Sequence, residues 1–398
     1  MSWAVSQYRV RIALFVCLIA LLFGLVCWNG NHSLPIETEP TVATDAFVKG
    51  VWINYQEYAQ MMSGKTQSEY QTVVQKALRD LRSVGVNTVF LHLRSHSDSL
   101  YPSQLFPWSD CVNQGEGVSY DPTEYFVDLA HQMGIQVHAW VNPYRILSAG
   151  TLKELLPQNP AYEMQHDSNR VVQIDSGVYY NPSSPRIREL VLSGVREILT
   201  KYDVDGIQYD DYFYPTTHES FDQVAYRQYC DETDTPLPLA EWRRCQVNLL
   251  ISGTYQLAKQ YGVVFGVSPC ADWEKNKESL YADVSAWIQG GYVDYLCPQL
   301  YFGFDYPQVA FRFDRLLAEW KEQAGDIPLY VGLASYKVGK TDAGSTEWET
   351  STDLLSRQHC YSVGQGVQGV VIYHYTSLLK QDAQSVAQRE RLKQFWLS

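Results

Sequence analysis

Two adjacent acids, Asp210 and Asp211, close the short apolar stretch Asp205-Gly206-Ile207-Gln208-Tyr209 and are followed at once by Tyr212-Phe213-Tyr214-Pro215. Strand side chains alternate between faces, so Gln208 and Asp210 share one face while Tyr209 and Asp211 share the other. Carboxyl groups at a strand end suit glycosidic chemistry, where an acid protonates the leaving oxygen or a carboxylate attacks the anomeric carbon. Tyr212 and Tyr214 add flat faces on which a sugar can stack. The competing structural use is an acid pair that caps the next helix. Consecutive side chains diverge, so one of the two acids is expected to be structural, and Asp210, on the face of Gln208, is the first choice for chemistry. Glycosidases mostly need a second carboxyl group. Asp272 and Glu274, which follow a later strand, are the expected sources, with Asp98 after an earlier one.

The elements that must position these groups follow a repeating pattern. Nearly continuous apolar runs at 50–54, 87–94, 135–142, 205–210, 263–268, 293–300, 328–334 and 370–375 read as parallel strands buried on both faces. Amphipathic segments separate them. Tyr70, Val73, Val74, Ala77, Leu78 and Leu81 recur at helical spacing before Gly85, and Asp121-Pro122 and Ser184-Pro185 have the form of helix starts. Eight strands alternating with helices predict a (β/α)8 TIM barrel in the α/β class. No Gly-rich phosphate loop follows any strand, which disfavours a doubly wound sheet. Two connections, 95–120 and 143–183, are far longer than usual and leave strand C-termini, the face on which barrels carry their sites. They are expected to wall a substrate cleft. Polar residues gather at the same rim: Asn54, Arg94, His96, Asp98, Asn142, Asp210, Asp211, Ser268, Asp272, Gln299, Tyr301, His374 and Tyr375. Burying such groups without purpose is costly. His92 and His138 lie mid-strand and read as satisfied core histidines. No His-x-His pair ends the first strand, so no metal site and no cofactor are expected.

Several of these stretches together resemble the glycosyl-hydrolase-like family ten barrels of bacterial cell envelopes. The matching runs are Gly50-Val51-Trp52-Ile53, Asp98-Ser99-Leu100-Tyr101-Pro102-Ser103, Pro107-Trp108-Ser109 and Tyr120-Asp121-Pro122. They continue with His138-Ala139-Trp140-Val141-Asn142-Pro143-Tyr144-Arg145, Tyr180-Asn181-Pro182, the double-Asp motif, Val267-Ser268-Pro269 and Pro298-Gln299-Leu300-Tyr301. The resemblance runs in order through residues 47–378. It implies a TIM barrel, an extracytoplasmic location and glycosidase activity on cell-wall glycan. It adds Trp52, Trp140, Tyr144 and Arg145 to the expected sugar contacts; Trp273, beside Asp272, is a further expected contact that the resemblance does not supply. The chain departs from the family pattern at Cys270-Ala271-Asp272-Trp273-Glu274-Lys275-Asn276, where an aromatic and Arg-Asn stretch is usual, and at Ser95-His96-Ser97, where Pro and Gly are usual.

Composition narrows the function further. A net charge of -13 leaves no electrostatic footprint for nucleic acid. The eight cysteines show no C-x-x-C pair and no zinc spacing. An apolar run of about 17 residues from Ile12 to Trp28 follows Arg9 and Arg11, just enough to span a bilayer. The expected organisation is a cytoplasmic tip and transmembrane signal anchor over 1–28, a polar linker over 29–46 and a barrel over 47–398 outside the cytoplasm. Cleavage of the N-terminal segment would instead release a secreted protein. The leading expectation is a membrane-anchored glycoside hydrolase acting on peptidoglycan strands or a related polysaccharide. A non-catalytic glycan-binding barrel is the alternative. An amide or ester hydrolase lacks a G-x-S-x-G elbow.

Overall fold

The computed structural model describes residues 46–175 and 177–398. Eight strands form one parallel sheet: β1 (Val48–Ile53), β2 (Thr88–Arg94), β3 (Gln136–Val141), β4 (Gly206–Tyr209), β5 (Val264–Val267), β6 (Tyr295–Leu296), β7 (Tyr330–Ala334) and β8 (Gly369–Tyr373). Their order is β7-β8-β1-β2-β3-β4-β5-β6. The two ends meet through the isolated parallel bridges Leu296↔Leu329 and Gln299↔Gly332, which bring the sheet to a nearly closed barrel. An open doubly wound sheet is thereby excluded. The sixth strand is shorter than its apolar run predicts because Pro298 has no N–H to give to a ladder; its carbonyl instead accepts from Gly332 N at 3.0 Å.

Helices start where the sequence marks them. Asp121 caps the helix Pro122–Gln132 by accepting from Thr123 N and Glu124 N. The helix Gln67–Val84 opens with a Thr66/Glu69 capping box and ends at Gly85, whose φ of 99° a residue with a Cβ would resist. The helix Pro185–Lys201 has its proline in the first turn.

The barrel interior is small and aromatic, with Val48, Trp52, Phe90, Trp140, Tyr295, Cys297, Tyr330 and Val371 in one buried cluster. Gly266 leaves room for Tyr295, since a Cβ there would lie 2.1 Å from the Tyr295 ring. The larger core lies between the strands and the surrounding helices. His138 donates to or accepts from the Tyr295 hydroxyl at 2.9 Å, the satisfied core role expected of it. His92 is buried and stacks on Trp140 at 3.6 Å, but neither of its ring nitrogens has a hydrogen-bond partner.

Strand polarity gives the barrel two unlike faces. At the N-terminal face Phe47 packs edge-on against His359, and the Lys49 ammonium bonds the Trp396 carbonyl of the last helix. The C-terminal face carries the two long connections. The second of them folds into a three-stranded antiparallel sheet of Arg145–Leu147, Val171–Ile174 and Gly177–Tyr180. Among the described residues no helix is long and apolar enough to cross a membrane; the Ile12–Trp28 run lies outside them.

Candidate active site

Asp210 stands immediately beyond β4, with 3% of its surface exposed. The strand's alternation places Gln208 beneath it on the inner face, where Gln208 Oε1 accepts from Trp52 Nε1 at 2.7 Å. Tyr209 points outward to Thr254. Three donors hold the Asp210 carboxyl group. Trp140 Nε1 and Asn142 Nδ2 reach Oδ2 at 3.0 and 3.3 Å, and Tyr212 N reaches Oδ1 at 3.2 Å. Burial raises its pKa to about 7, and the neighbouring Asp211 charge adds to the rise; the Arg145 cation and the donated hydrogen bonds oppose it. The rise brings its proton exchange towards neutral pH, where a carboxyl group can serve as a general acid.

A cavity of about 290 Å3 opens over Asp210. Trp52, Trp140 and Gln208 line it from the barrel interior, Tyr212, Ser268 and Gln299 from one side, and Tyr301, Tyr336 and Tyr373 from the other. Tyr301 stacks on Tyr373 with 5.7 Å between centroids, and Tyr336 meets both edge-on. Tyr336 and Tyr373 were not among the sequence candidates. Their signal is positional: Tyr336 follows β7 at the rim, and Tyr373 ends β8 one residue before the expected His374.

Asp211 does not take the outward place that alternation predicts. β4 ends at Tyr209, the chain turns, and Asp211 Oδ1 accepts from Gln299 Nε2 at 3.2 Å. Gln299 Nε2 also donates to the Ser268 carbonyl, so the second acid is fixed to the cavity's own wall. Its pKa is raised by burial, opposed in part by Gln299 and by the Lys275 and Arg145 cations. The other two catalytic candidates lie elsewhere. Asp272 caps the short helix Trp273–Glu278 by accepting from Lys275 N, and lines an adjacent cavity rather than that of Asp210. Glu274 is exposed in that helix's first turn.

The expected sugar contacts divide in the same way. Trp52, Trp140, Tyr212, Gln299 and Tyr301 line the Asp210 cavity. Asn142 bonds Asp210 directly, and the Arg145 guanidinium lies 4.7 Å over the Tyr212 ring. Arg94 is not in the cleft. The β2–β3 register shifts between His92 and Arg94, so Arg94 pairs with Val141 and turns outward against Phe106 and Gly194. Tyr144 is fully buried in the outer core, and Tyr214 packs on Phe221 and Tyr281. Trp273 is buried edge-on against Trp320. Asn54 is occupied in capping the helix Tyr55–Met62. His374 donates from Nδ1 to buried Glu57 at 2.6 Å and stacks behind Tyr336, a supporting place outside the cavity lining. Tyr375 opens the short helix Tyr375–Leu378, also outside that lining. His96 and Asp98 line a separate cavity of about 240 Å3 between the two long connections. Both connections thus wall a cavity, as expected of them, though a neighbouring one.

The loop beyond Asp211 is held from below. Arg243, in the helix Leu239–Gln260, donates from Nη2 to Asp222 at 2.6 Å and to the His218 carbonyl, and from Nη1 to the Thr217 carbonyl and the Tyr281 hydroxyl. Both Arg243 and Asp222 side chains are fully buried. Among the described residues no group of three His, Cys, Asp or Glu stands together as metal ligands.

A parallel barrel whose C-terminal mouth holds a buried carboxyl group of raised pKa among tyrosines and tryptophans has the form of a carbohydrate-active barrel. The chain belongs to the glycosyl hydrolase-like 10 family, whose model matches residues 47–350. As a member it is an enzyme of the glycoside-hydrolase class. It is 32% identical over 314 residues to the glycosyl hydrolase DigH of Escherichia coli K12, covering 72% of this chain and 70% of that one. It is 34% identical over 289 residues to the glycosyl hydrolase YngK of Bacillus subtilis 168, covering 66% of this chain and 55% of the relative. The PgaB (BpsB) glycoside hydrolase domain of Bordetella bronchiseptica has the same fold, with a TM-score of 0.60 at 13% identity over 87% of this chain and 99% of that one. An alpha-L-fucosidase of Paenibacillus thiaminolyticus superposes with a TM-score of 0.57 at 13% identity, over 88% of this chain and 49% of that one.

Proposed function

We propose that this chain hydrolyses the glycan strands of the bacterial cell wall, with Asp210 as the proton-transferring carboxyl group and Asp211 as its partner. The observation that carries the reading is the state of Asp210: buried at the mouth of the barrel, held by three donors, and with a pKa near 7. A carboxyl group in that state can protonate a glycosidic oxygen at neutral pH and take a proton from water afterwards. Asp211 replaces Asp272 and Glu274 as the favoured second carboxyl group, because it shares Gln299 with the cavity wall. Its ionised form stabilises positive charge developing at the anomeric carbon. Aromatic faces of Tyr301 and Tyr373 offer stacking surfaces to the sugar ring.

The cell-wall substrate and the site of action rest on the sequence. The apolar run from Ile12 to Trp28 behind Arg9 and Arg11 anchors the chain in the membrane and leaves the barrel outside the cytoplasm. The test is incubation of the full-length chain, and of Asp210→Asn, with purified peptidoglycan strands, with new reducing ends counted and products read by mass spectrometry. The parent should release oligosaccharides, and the variant should not. Equal release by both would reject Asp210; no release by the parent, with release from another polysaccharide, would reject the substrate.

A further inference from the structure

A cavity of about 350 Å3 opens directly beside that of Asp210. The two share Gln299, Tyr301 and Tyr336 as a common wall. On the far side Phe302 and Phe311 continue the aromatic lining, with ring centroids 5.4 Å apart. Its volume lies in the range of small-ligand sites, and its lining combines ring faces with hydrogen-bonding groups. Both are what a second sugar ring needs if a chain crosses the mouth of the barrel.

Charge distinguishes this flank from the other. Lys275, Lys337 and Asp272 line it, whereas among the described residues no Lys or Arg lines the Asp210 cavity. The 240 Å3 cavity on the β2–β3 side carries Asp98, Asp110 and Glu154 and no Lys or Arg. The two lysines are not equivalent. Lys337 is neutralised by Asp342 at 2.7 Å. Lys275 has no ion-pair partner among the described residues, although it is close enough to Asp211 to favour that acid's ionised form. Asp272, in the same lining, is turned to its helix cap at Lys275 N, which leaves the Lys275 ammonium to meet an anionic ligand group at the aromatic wall.

We propose that this cavity is a second saccharide subsite and that Lys275 recognises a carboxylate carried by the sugar bound there. The inference rests on Asp210 being the site of glycan cleavage. The bond to be cut then lies between the two cavities, and the charge-bearing unit sits on the β5–β7 side of it. Lys275 is a specificity-determining residue in this arrangement, since it touches a substituent remote from the reacting atoms.

Two strand preparations of equal length test it: alternating N-acetylglucosamine and N-acetylmuramic acid with free carboxylates, and the same strands with those carboxylates reduced to alcohols. The full-length parent, Lys275→Gln and Lys275→Arg are compared on both for kcat and KM. The parent should prefer the carboxylate strands, and Lys275→Gln should shrink that preference by about fivefold, chiefly through KM, the size of a modest solvent-exposed ion pair. Lys275→Arg should restore most of it. A parent that treats the two preparations alike, or a Lys275→Gln variant that loses equally on both, overturns the proposal while leaving the reading of Asp210 intact. Binding of both preparations to Asp210→Asn, followed by tryptophan fluorescence, separates the two questions. Tighter binding of carboxylate strands without any cleavage by the parent upholds the subsite and rejects the hydrolytic reading; no binding of either preparation rejects both.

Discussion

At Asp210 the same burial that tunes the chemistry also sets a cost. The native state keeps a proton on this carboxyl group up to about pH 7, whereas an unfolded Asp loses it near pH 4. The folded pKa lies above the unfolded one, so the stabilising contribution is fully present below about pH 4 and is lost as pH rises to 7. Its upper bound is roughly 4 kcal/mol. Asp210→Asn removes the term. Thermal melts should therefore find the variant gaining on the parent between pH 5 and pH 8; a constant difference would refute the raised pKa. The fold should survive, since the amide matches the carboxyl in size, while turnover falls by orders of magnitude because an amide neither donates nor accepts the proton in question. A folded variant within a few-fold of parental activity would return the glycan-binding reading to the front. Asp211 gives a second handle. Its negative charge helps raise the Asp210 pKa, so Asp211→Asn should move the alkaline limb of the kcat/KM profile to lower pH, as well as slowing the reaction.

The elements around these residues explain what could be read in the chain and what could not. The eight strands followed from apolar runs and helix caps, whereas the long connections wall the cavity beside that of Asp210, and Tyr336 and Tyr373 in the latter's mouth carried only a positional signal. Arg94 was misplaced because alternation counts every residue, and the register shift after His92 shifts the count by one. Asp211 was expected on the outward face for the same reason: strand periodicity ends where β4 ends, and the turn beyond it obeys Gln299 instead. Tyr144, Tyr214 and Trp273 have the residue type of sugar contacts, but aromatics serve core and cleft alike, and only packing partners decide. The loop bearing Tyr212 to Tyr214 depends on an element far away in sequence. Arg243→Met would strand the Asp222 carboxylate in a fully buried place, and breaking such a pair costs about 3 to 5 kcal/mol. Urea unfolding of this variant should show that loss, with a lower kcat/KM from the loosened loop. A variant as stable as the parent would mean that the loop carries its own support.

For the whole molecule the chief proposal beyond the fold is its topology. Protease added to cells stripped of their wall should digest the barrel if residues 29–398 lie outside the membrane, and full protection would refute the orientation. The two faces of the barrel then acquire different neighbours. The chain enters β1 at Val48, on the face where Phe47 and Lys49 meet the last helices, whereas Asp210 opens on the opposite face. On that topology the mooring would join the barrel at its floor and leave the mouth clear. The segment of about 18 residues between mooring and floor spans at most roughly 60 Å when fully drawn out. If the proposed topology holds, that length bounds how far from the membrane the mouth can work.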